Sequence, residues 1–328
     1  MNLHLLHAVI YLGLLHLWID NFMINKDEDN ILPYLSLIIA MVAISFSAIF
    51  IRWVDEDISP LVVGAYRQTF ASFIFVPFLV KNNFAEIKNL NRTRFTQMSL
   101  VGIVLGFHFG FFISSVTQTS VAAATLLATS HPLFVVFFGW LLLNETIGKK
   151  SQAGIFLSFV GIIILFSGEL LGDYGTSQGN LFALISGILA GIYFLAGRTL
   201  RSSITLPTYA FVVYSISAIT LWSSVFLTNA NYYPIPKREV GIFLLMALIP
   251  TLLGHTLHNW ALGYLPAYIV SVTLLAEPFG ASLLAWQFFN ELPTIWVIFG
   301  GAICLGGIFI TLLSKSESQQ ENLTVSDP

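Results

Sequence analysis

One sequence pattern occurs twice, as HPLFVVFFGWLLLNE at residues 131–145 and as EPFGASLLAWQFFNE at residues 277–291. The two copies are 146 positions apart, which is the separation of Pro132 and Pro278. The same offset relates residues well outside these stretches. Because one ungapped offset covers all of them, we predict that a whole unit of about 140 residues is duplicated. The equivalent positions are Pro132 and Pro278, Trp140 and Trp286, Asn144-Glu145 and Asn290-Glu291, Gly154 and Gly300, Gly161 and Gly307, and Arg52 and Arg198.

The composition of the chain is typical of a membrane protein. Of 328 residues, 56% are hydrophobic and 9% are charged, and the mean hydropathy is +0.82. A water-soluble domain of this length could not cover its surface with so few polar groups. The net charge of -3 is too small to indicate nucleic-acid binding, and the single cysteine, Cys304, excludes an intrachain disulfide framework.

We interpret residues 1–30 as an N-terminal extension. The stretch from Leu3 to Ile19 is apolar, but it lacks a basic start and a small-residue cleavage site, so it is a poor signal peptide. Met23 opens a short polar segment of the kind that precedes a first membrane helix, which makes Met23 a candidate for the true start. An interfacial helix or an extra span is the alternative for residues 1–22.

From residue 31 onward, ten apolar segments approach the length of about 20 residues that a bilayer requires. Each is predicted to be a helix, because lipid offers no partner to open backbone groups. The fold class is therefore all-α integral membrane, with repeats at 31–168 and 177–313 and a disordered cytoplasmic tail at 314–328. The segments are 32–51, 60–80, 97–116, 121–143, 151–168, 179–197, 208–227, 240–262, 267–289 and 294–313.

The lysines and arginines predict the orientation. With the segment before the first helix inside, ten of the 14 basic residues fall in inside loops, three fall in outside loops, and Arg67 lies within the second helix. This bias predicts that both termini are cytoplasmic. Five helices per repeat is an odd number, so the second repeat enters the membrane in the opposite sense. Inverted repeats are typical of transporters, in which two halves exchange conformations around a central site.

The duplicated proline helices resemble those of the EamA family of the drug/metabolite transporter superfamily, and the resemblance covers residues 31–313. It implies ten membrane helices in two repeats and export or exchange of amino acids, other metabolites or drugs, while more distant relatives carry nucleotide sugars or triose phosphates. It does not identify the substrate. The residues that carry it are Ser130-His131-Pro132, Leu143-Asn144-Glu145, Glu277-Pro278 and Phe289-Asn290-Glu291.

The two repeats differ immediately before the proline, where the first has His131 and the second has Glu277. Glu277 is the one acidic residue well inside a predicted span, and a charge at that depth costs about 2.5–3.5 kcal/mol on insertion scales. We therefore predict that His131 and Glu277 lie across a central cavity, where Glu277 binds a substrate ammonium group or carries a proton. A permanent hydrogen-bonded pair that fixes the two halves is the alternative.

The eighth span offers a second group of polar residues. His255, His258 and Asn259 recur at i, i+3 and i+4, so they are predicted to share one helix face and to line the same cavity. His255, His258 and Glu277 have side chains of the types that bind zinc. Two histidines at i and i+3, however, are only weak evidence for a metal site. We predict no metal site and no cofactor.

Arg67, Tyr193 and Trp260 complete the candidate site. Arg67 lies seven residues into the second span, and it is predicted to pair either with a substrate carboxylate or with Glu277. Tyr193 and Trp260 are suited to stacking on a substrate. His108, a lone histidine on the third span, is interpreted as a packed polar residue rather than a ligand.

The repeated residues have candidate mechanical roles. Pro132 and Pro278 each lack an N–H and so free the carbonyl four residues earlier, at Ala128 and Leu274. They are therefore predicted to kink their helices. Their role is either to line the cavity or only to shape the helix packing. The pairs Asn144-Glu145 and Asn290-Glu291 fall at helix ends, where a structural or gate-latching role is favoured over substrate contact. Six glycines are predicted to allow close helix contacts, namely Gly154, Gly161, Gly300, Gly301, Gly306 and Gly307.

These observations predict a ten-helix transporter of the inner membrane that moves a small polar metabolite, with an amino acid or derivative as the leading class. No ATP-binding motif is present in the sequence, so the energy comes from protons, exchange or the substrate's own gradient. The partners are the small-molecule substrate and the lipid bilayer, with no nucleic acid, and homodimer formation is left open. A drug carrier, a nucleotide-sugar or phosphate carrier, a membrane enzyme and a structural partner subunit are the alternatives.

Overall fold

The computed structural model describes residues 31–80, 84–119, 121–143, 147–170, 177–232, 234–290, 292 and 295–325. Every regular element in these ranges is helical. The N-terminal extension with Met23, and Asn144, Glu145 and Glu291, lie outside them. In chain order the helices are α1 (Leu32–Trp53), α2 (Pro60–Phe78), α3 (Phe84–Lys88), α4 (Arg92–Val116), α5 (Val121–Ala128), α6 (His131–Leu143), α7 (Lys149–Leu170), α8 (Ser177–Arg201), α9 (Leu206–Leu227), α10 (Lys237–Ala261), α11 (Ala267–Thr273), α12 (Glu277–Phe289) and α13 (Ile295–Val325).

Eight helical segments of the described chain are long and apolar enough to cross a bilayer. They are α1, α2, α4, α8, α9, α10, the combined segment Ala267–Phe289, and Ile295–Ser314 of α13. The predicted fourth span is divided into the shorter helices α5 and α6, and the predicted fifth corresponds to α7. The total of ten spans therefore stays a prediction.

The helices begin and end at residues with suitable local chemistry. Pro60 starts α2, where its missing N–H removes no helical hydrogen bond. Asn91 caps α4 by accepting a hydrogen bond from the backbone N–H of Arg94 at 2.7 Å. Asn290 ends α12 with a left-handed backbone at φ 56°, a conformation that asparagine tolerates. The structure thus places Asn290 at a helix end, and its latching role stays a prediction.

The fourth helix of each repeat is interrupted beside its proline. In the first repeat α5 ends at Ala128 and α6 begins at His131, and in the second a single 3-10 turn, Leu274–Ala276, separates α11 from α12. Proline has no N–H to continue the preceding helix, which explains the position of both breaks. The carbonyl of Leu274, which Pro278 was predicted to leave without its helical donor, accepts the backbone N–H of Glu277.

The helix packing is symmetric about an axis that relates the two repeats. Helix α7 packs along α13, and α2 packs along α9, so each of these pairs joins a helix to its own equivalent. The contact of α4 with α8 corresponds to that of α1 with α10. The broken helices α5 and α6 pack on α8 as α11 and α12 pack on α1. The axis runs through the centre of the bundle, between the two interrupted helices.

Glycines bring α7 and α13 into close contact. A Cβ atom at Gly154 would lie 2.7 Å from the carbonyl oxygen of Gly307, and one at Gly161 would lie 2.6 Å from that of Gly300. These are equivalent pairs, so each repeat approaches the other in the same way, and these glycines allow the close helix contact expected of them. The expectation does not hold for Gly306, where a Cβ would have no neighbour within 4 Å among the described residues.

Helix α13 continues beyond the predicted membrane span. It extends to Val325, whereas the sequence predicted a disordered tail from residue 314. The tail contains Lys, Glu and Gln, which have favourable helix propensity. A helix that is already formed can be extended without a new nucleation step, and composition alone does not reveal that advantage.

Glu86 of α3 fixes the start of α9. Its carboxylate accepts hydrogen bonds from the backbone N–H of Thr205 at 3.0 Å and from the hydroxyl groups of Thr205 and Thr208. We expect Glu86→Ala to lower the free energy of unfolding by about 1 kcal/mol, as the loss of a helix cap typically does. Thermal unfolding in detergent measures the effect, with Glu56→Ala in an exposed loop as the control. Equal melting temperatures for the two variants would contradict this role.

Candidate functional site

A cavity lies at the centre of the bundle, where the two interrupted helices meet. Both repeats contribute to its wall, and most of the wall is apolar. Ten of the lining residues form five pairs of equivalent positions, so the cavity lies across the symmetry axis. These pairs are Ile44 and Ala190, Ser47 and Tyr193, Phe109 and His255, Ala128 and Leu274, and His131 and Glu277.

Glu277 places a carboxyl group on this wall. It is the first residue of α12, directly after the 3-10 turn, and only 6% of its surface is exposed. Its side chain makes no hydrogen bond or ion pair with any residue that the structure describes. Arg67 is the charged residue close enough to act on it electrostatically. A buried carboxyl group without a protein partner is the kind of group that a ligand satisfies.

Arg67 lies behind the cavity wall and is fully buried. Its Nε donates to the hydroxyl of Thr251 at 2.7 Å, and its Nη1 donates to the hydroxyl of Ser47 at 3.0 Å. The guanidinium carbon lies 4.2 Å from the centre of the Phe109 ring. Its Nη2 is buried and has no partner in the described chain. Both N–H groups of Nη2 therefore remain for a carboxylate or another acceptor.

His131 lies on the same wall as Glu277, at the start of α6. Its Nδ1 is 2.9 Å from the hydroxyl of Ser271, and its ring packs against Phe194 at 5.1 Å between centroids. Its Nε2 is buried without a partner in the ranges described. No hydrogen bond joins His131 to Glu277 in this structure. The structure brings the two residues to one cavity without forming the fixed pair that was the alternative from the sequence.

Helix α10 differs from a regular helix in a way that changes its cavity face. Ala247–Thr256, which includes Pro250, is π-helical. His255 lines the cavity, whereas His258 turns to the carbonyl of Gly254 at 3.1 Å and the hydroxyl of Thr273 at 3.3 Å. His258 does not share the cavity face of His255 in this structure. The π-helical segment, in which i→i+5 hydrogen bonding widens the helical turn, includes His255 and ends at Thr256.

Asn259 also lies outside the cavity wall and belongs to a buried hydroxyl cluster. Its amide donates to the hydroxyl groups of Tyr193 and Tyr214, the latter at 3.3 Å. The Tyr214 hydroxyl is in turn 2.9 Å from that of Thr256. Of these four residues only Tyr193 reaches the cavity. Tyr193 and its equivalent Ser47 thus each connect the cavity to a polar cluster, one around Asn259 and one around Arg67.

Trp260 is not part of the site in this structure. It is buried, packs on Tyr264 at 4.7 Å between ring centroids, and does not line the cavity. Sequence reasoning could not separate it from the aromatic residues that do line the cavity. Within the described part of the chain, no group of three His, Cys, Asp or Glu residues is arranged to hold a metal ion.

Two features of the site were missed by sequence reasoning. His108 of α4 lines the cavity, although it was interpreted as a packed residue. The π-helical segment was not predicted, and the only signal for it was Pro250 within an apolar span. A proline there indicates an irregular helix but does not indicate which irregularity forms.

The EamA-like transporter family matches the chain twice, over residues 31–167 and 177–313. The chain belongs to the EamA-like transporter family. This confirms the resemblance found in the duplicated proline helices, and the two matched ranges are close to the predicted repeats. With its apolar helices, this EamA-like protein is a multi-pass membrane protein.

Relatives of this EamA-like protein include other proteins named as transporters. An uncharacterized transporter of Archaeoglobus fulgidus is 23% identical over 88% of this chain and 100% of its own length. The pseudopaline exporter CntI of Pseudomonas aeruginosa is 25% identical over 65% of this chain and 74% of its own. A solved crystal structure matches with a TM-score of 0.70 and 18% identity over 87% of this chain and 98% of that chain, which shows the shared fold.

Proposed function

We propose that this EamA-like protein is a secondary transporter that binds a small polar metabolite in the central cavity and moves it across the cytoplasmic membrane by alternating access. The observation that carries the proposal is Glu277, an acidic residue without a protein partner in the described chain, in a cavity built from equivalent positions of both repeats. Ten membrane spans in two inverted repeats, with both termini in the cytoplasm, complete the proposed arrangement.

The leading substrate class is an amino acid or a derivative of one. Glu277 offers a carboxylate to a substrate ammonium group, and Nη2 of Arg67, which lies behind the cavity wall and has no partner among the described residues, is the proposed donor to a substrate carboxylate. A zwitterion satisfies both groups and adds no net charge to the buried site, whereas a simple cation or anion would add one. His131 supplies a further polar atom through its Nε2, which has no partner among the described residues.

The two polar clusters beside the cavity are candidates for alternating gates. Arg67 links α2 to α1 and α10 through Ser47 and Thr251, and Asn259 links α10 to α8 and α9 through Tyr193 and Tyr214. With the predicted topology, Arg67 lies toward the outside and Asn259 toward the cytoplasm. Opening one cluster while the other stays closed would expose the cavity to one side at a time. Proton coupling through Glu277, or exchange, is the proposed energy source.

The alternatives have less support from the site. A nucleotide-sugar or phosphate carrier requires several buried basic residues to meet a phosphate, and Arg67 is the one arginine or lysine predicted inside a span. The relative named as a pseudopaline exporter supports export of a metabolite. A membrane enzyme or a structural subunit is disfavoured, because the cavity lies within the helices rather than at an aqueous interface and the chain contains both repeats.

Counterflow in liposomes tests the proposal. We expect liposomes that contain the wild-type protein and are loaded with unlabelled amino acids to take up radiolabelled amino acids from a mixed pool. In Glu277→Gln the uptake should fall at least about tenfold, which corresponds to the loss of an interaction of 1.4 kcal/mol or more. Glu56→Gln in an exposed loop is the matched control and should behave as wild type. Full uptake by folded Glu277→Gln would remove Glu277 from the site. A pH-insensitive rate in both proteins would remove proton coupling.

A further inference from the structure

His108 and His255 form a part of the cavity wall that the proposed zwitterion site does not use. His108 lies on α4 and His255 in the π-helical segment of α10, and their ring centroids are 6.2 Å apart at an interplanar angle of 72°. Both are more than nine-tenths buried, with 7% and 6% of their surfaces exposed. Two adjacent imidazoles at the wall of a buried cavity present polar atoms that require partners.

The hydrogen bonds of His108 determine which of its ring nitrogens is an acceptor. Its Nδ1 lies 3.0 Å from the carbonyl oxygen of Ser186 and 2.9 Å from the hydroxyl of the same residue. A carbonyl oxygen only accepts, so Nδ1 carries the hydrogen. In the neutral ring Nε2 is then a bare acceptor. No described residue donates a hydrogen bond to it.

His255 has ring contacts but no hydrogen-bond partner among the described residues. Its Nδ1 is buried and unpaired. The equivalent position in the first repeat is Phe109, whose ring contacts His255 at 5.0 Å between centroids. A phenylalanine thus fills the same place in the other repeat without polar atoms. Packing alone does not explain an imidazole whose unpaired nitrogen costs about 1–3 kcal/mol.

We propose that His108 and His255 form a hydrogen-bonding subsite of the cavity for an uncharged donor group of the substrate, a hydroxyl or a carboxamide. This inference rests on the proposed transport function. The substrate group donates to Nε2 of His108 and exchanges a second hydrogen bond with His255, which has both a donor and an acceptor nitrogen in its neutral form. A substrate of the same shape without a donor leaves these nitrogens unpaired, and the site disfavours it for that reason.

Competition in the counterflow assay tests the subsite with pairs of similar shape: L-serine and L-alanine, L-threonine and L-valine, and L-asparagine and L-leucine. We expect wild-type protein to prefer at least one donor-bearing member by about tenfold or more. In His108→Phe and His255→Phe, the second of which copies the equivalent Phe109, the ratio of uptake of the donor-bearing member to uptake of the apolar member should fall toward one. Wild-type transport with no preference, or a preference unchanged in both variants, would overturn the subsite and leave the transport function standing.

A binding measurement separates failure of the subsite from failure of the proposed function. In protein labelled with [15N]histidine, the NMR signal of the unprotonated Nε2 of His108 is assigned by its absence from the spectrum of His108→Phe. We expect acetamide to shift this signal and acetone, which has a similar shape and no N–H, to leave it in place. If amino acids are not transported but acetamide shifts the signal, the result supports the subsite and contradicts amino-acid transport. No shift with acetamide would overturn the subsite whatever the transport result.

Discussion

Replacement of Arg67 by methionine is expected to destabilise the folded protein by on the order of 3 kcal/mol. Arg67 is fully buried, donates hydrogen bonds to Ser47 and Thr251, and is the charge that acts on Glu277. Methionine keeps an unbranched side chain but removes the charge and the donors. Two hydroxyl groups lose a donor, and Glu277 is left in the interior without a compensating charge. Thermal unfolding in detergent measures the loss.

Two further variants separate the charge effect from a general packing defect. Arg52→Met at the exposed C-terminal end of α1 removes an arginine that lies over Phe289 at 4.7 Å, and it should cost less than about 1 kcal/mol. The double variant Arg67→Met with Glu277→Gln should be more stable than Arg67→Met alone, because no isolated charge then remains buried. A double variant less stable than Arg67→Met would contradict the electrostatic explanation.

Alanine at Gly161 is expected to separate α7 from α13 and to cost about 1–3 kcal/mol or more, as overpacking of a tight core does. The new Cβ would overlap the backbone of Cys304 and would lie 2.6 Å from the carbonyl oxygen of Gly300. Backbone atoms cannot rotate away as a flexible side chain can. The two helices must therefore move apart along the contact that joins the repeats. A fall in the melting temperature of the purified protein measures the effect.

Gly306→Ala is the matched control on the opposing helix. A Cβ at Gly306 would meet no described atom within 4 Å, and alanine is more favourable than glycine within a helix by up to about 1 kcal/mol. We therefore expect the two glycine-to-alanine changes to have opposite signs, with Gly306→Ala neutral or slightly stabilising. A Gly161→Ala protein as stable as Gly306→Ala would show that α7 and α13 do not need their close contact.

Much of the architecture could be predicted from the sequence because it depends on periodic features. The apolar lengths predicted helices, and the fixed offset from Pro132 to Pro278 predicted two repeats of one unit. The same offset indicated that Gly154 and Gly161 have the roles of Gly300 and Gly307, and their reciprocal contacts follow that relation. A duplicated sequence folds into duplicated structure because the same local preferences act twice.

The composition of the site could be predicted only in part. Glu277 and His131 were found because a charged group inside a membrane span is costly and because they break the repeat at one position. His108 has no such signal, since a single histidine in an apolar helix gives no indication of the face that it occupies in the bundle. Regular helical spacing predicted that His255 and His258 line the cavity together, whereas in the structure His255 lines it and His258 bonds to Gly254.

The sequence by itself determined the membrane environment, the helices and the duplication, and it located the prolines beside which the fourth helix of each repeat is interrupted, because these depend on hydropathy, proline chemistry and repeat spacing along the chain. Only the tertiary structure decided which polar atoms remain without partners. Ser47 and Thr251 bond to Nη1 and Nε of Arg67, and Ser271 bonds to Nδ1 of His131, while Nη2 of Arg67 and Nε2 of His131 have no partner among the described residues. Such pairing depends on contacts between distant segments, and local sequence does not encode it directly.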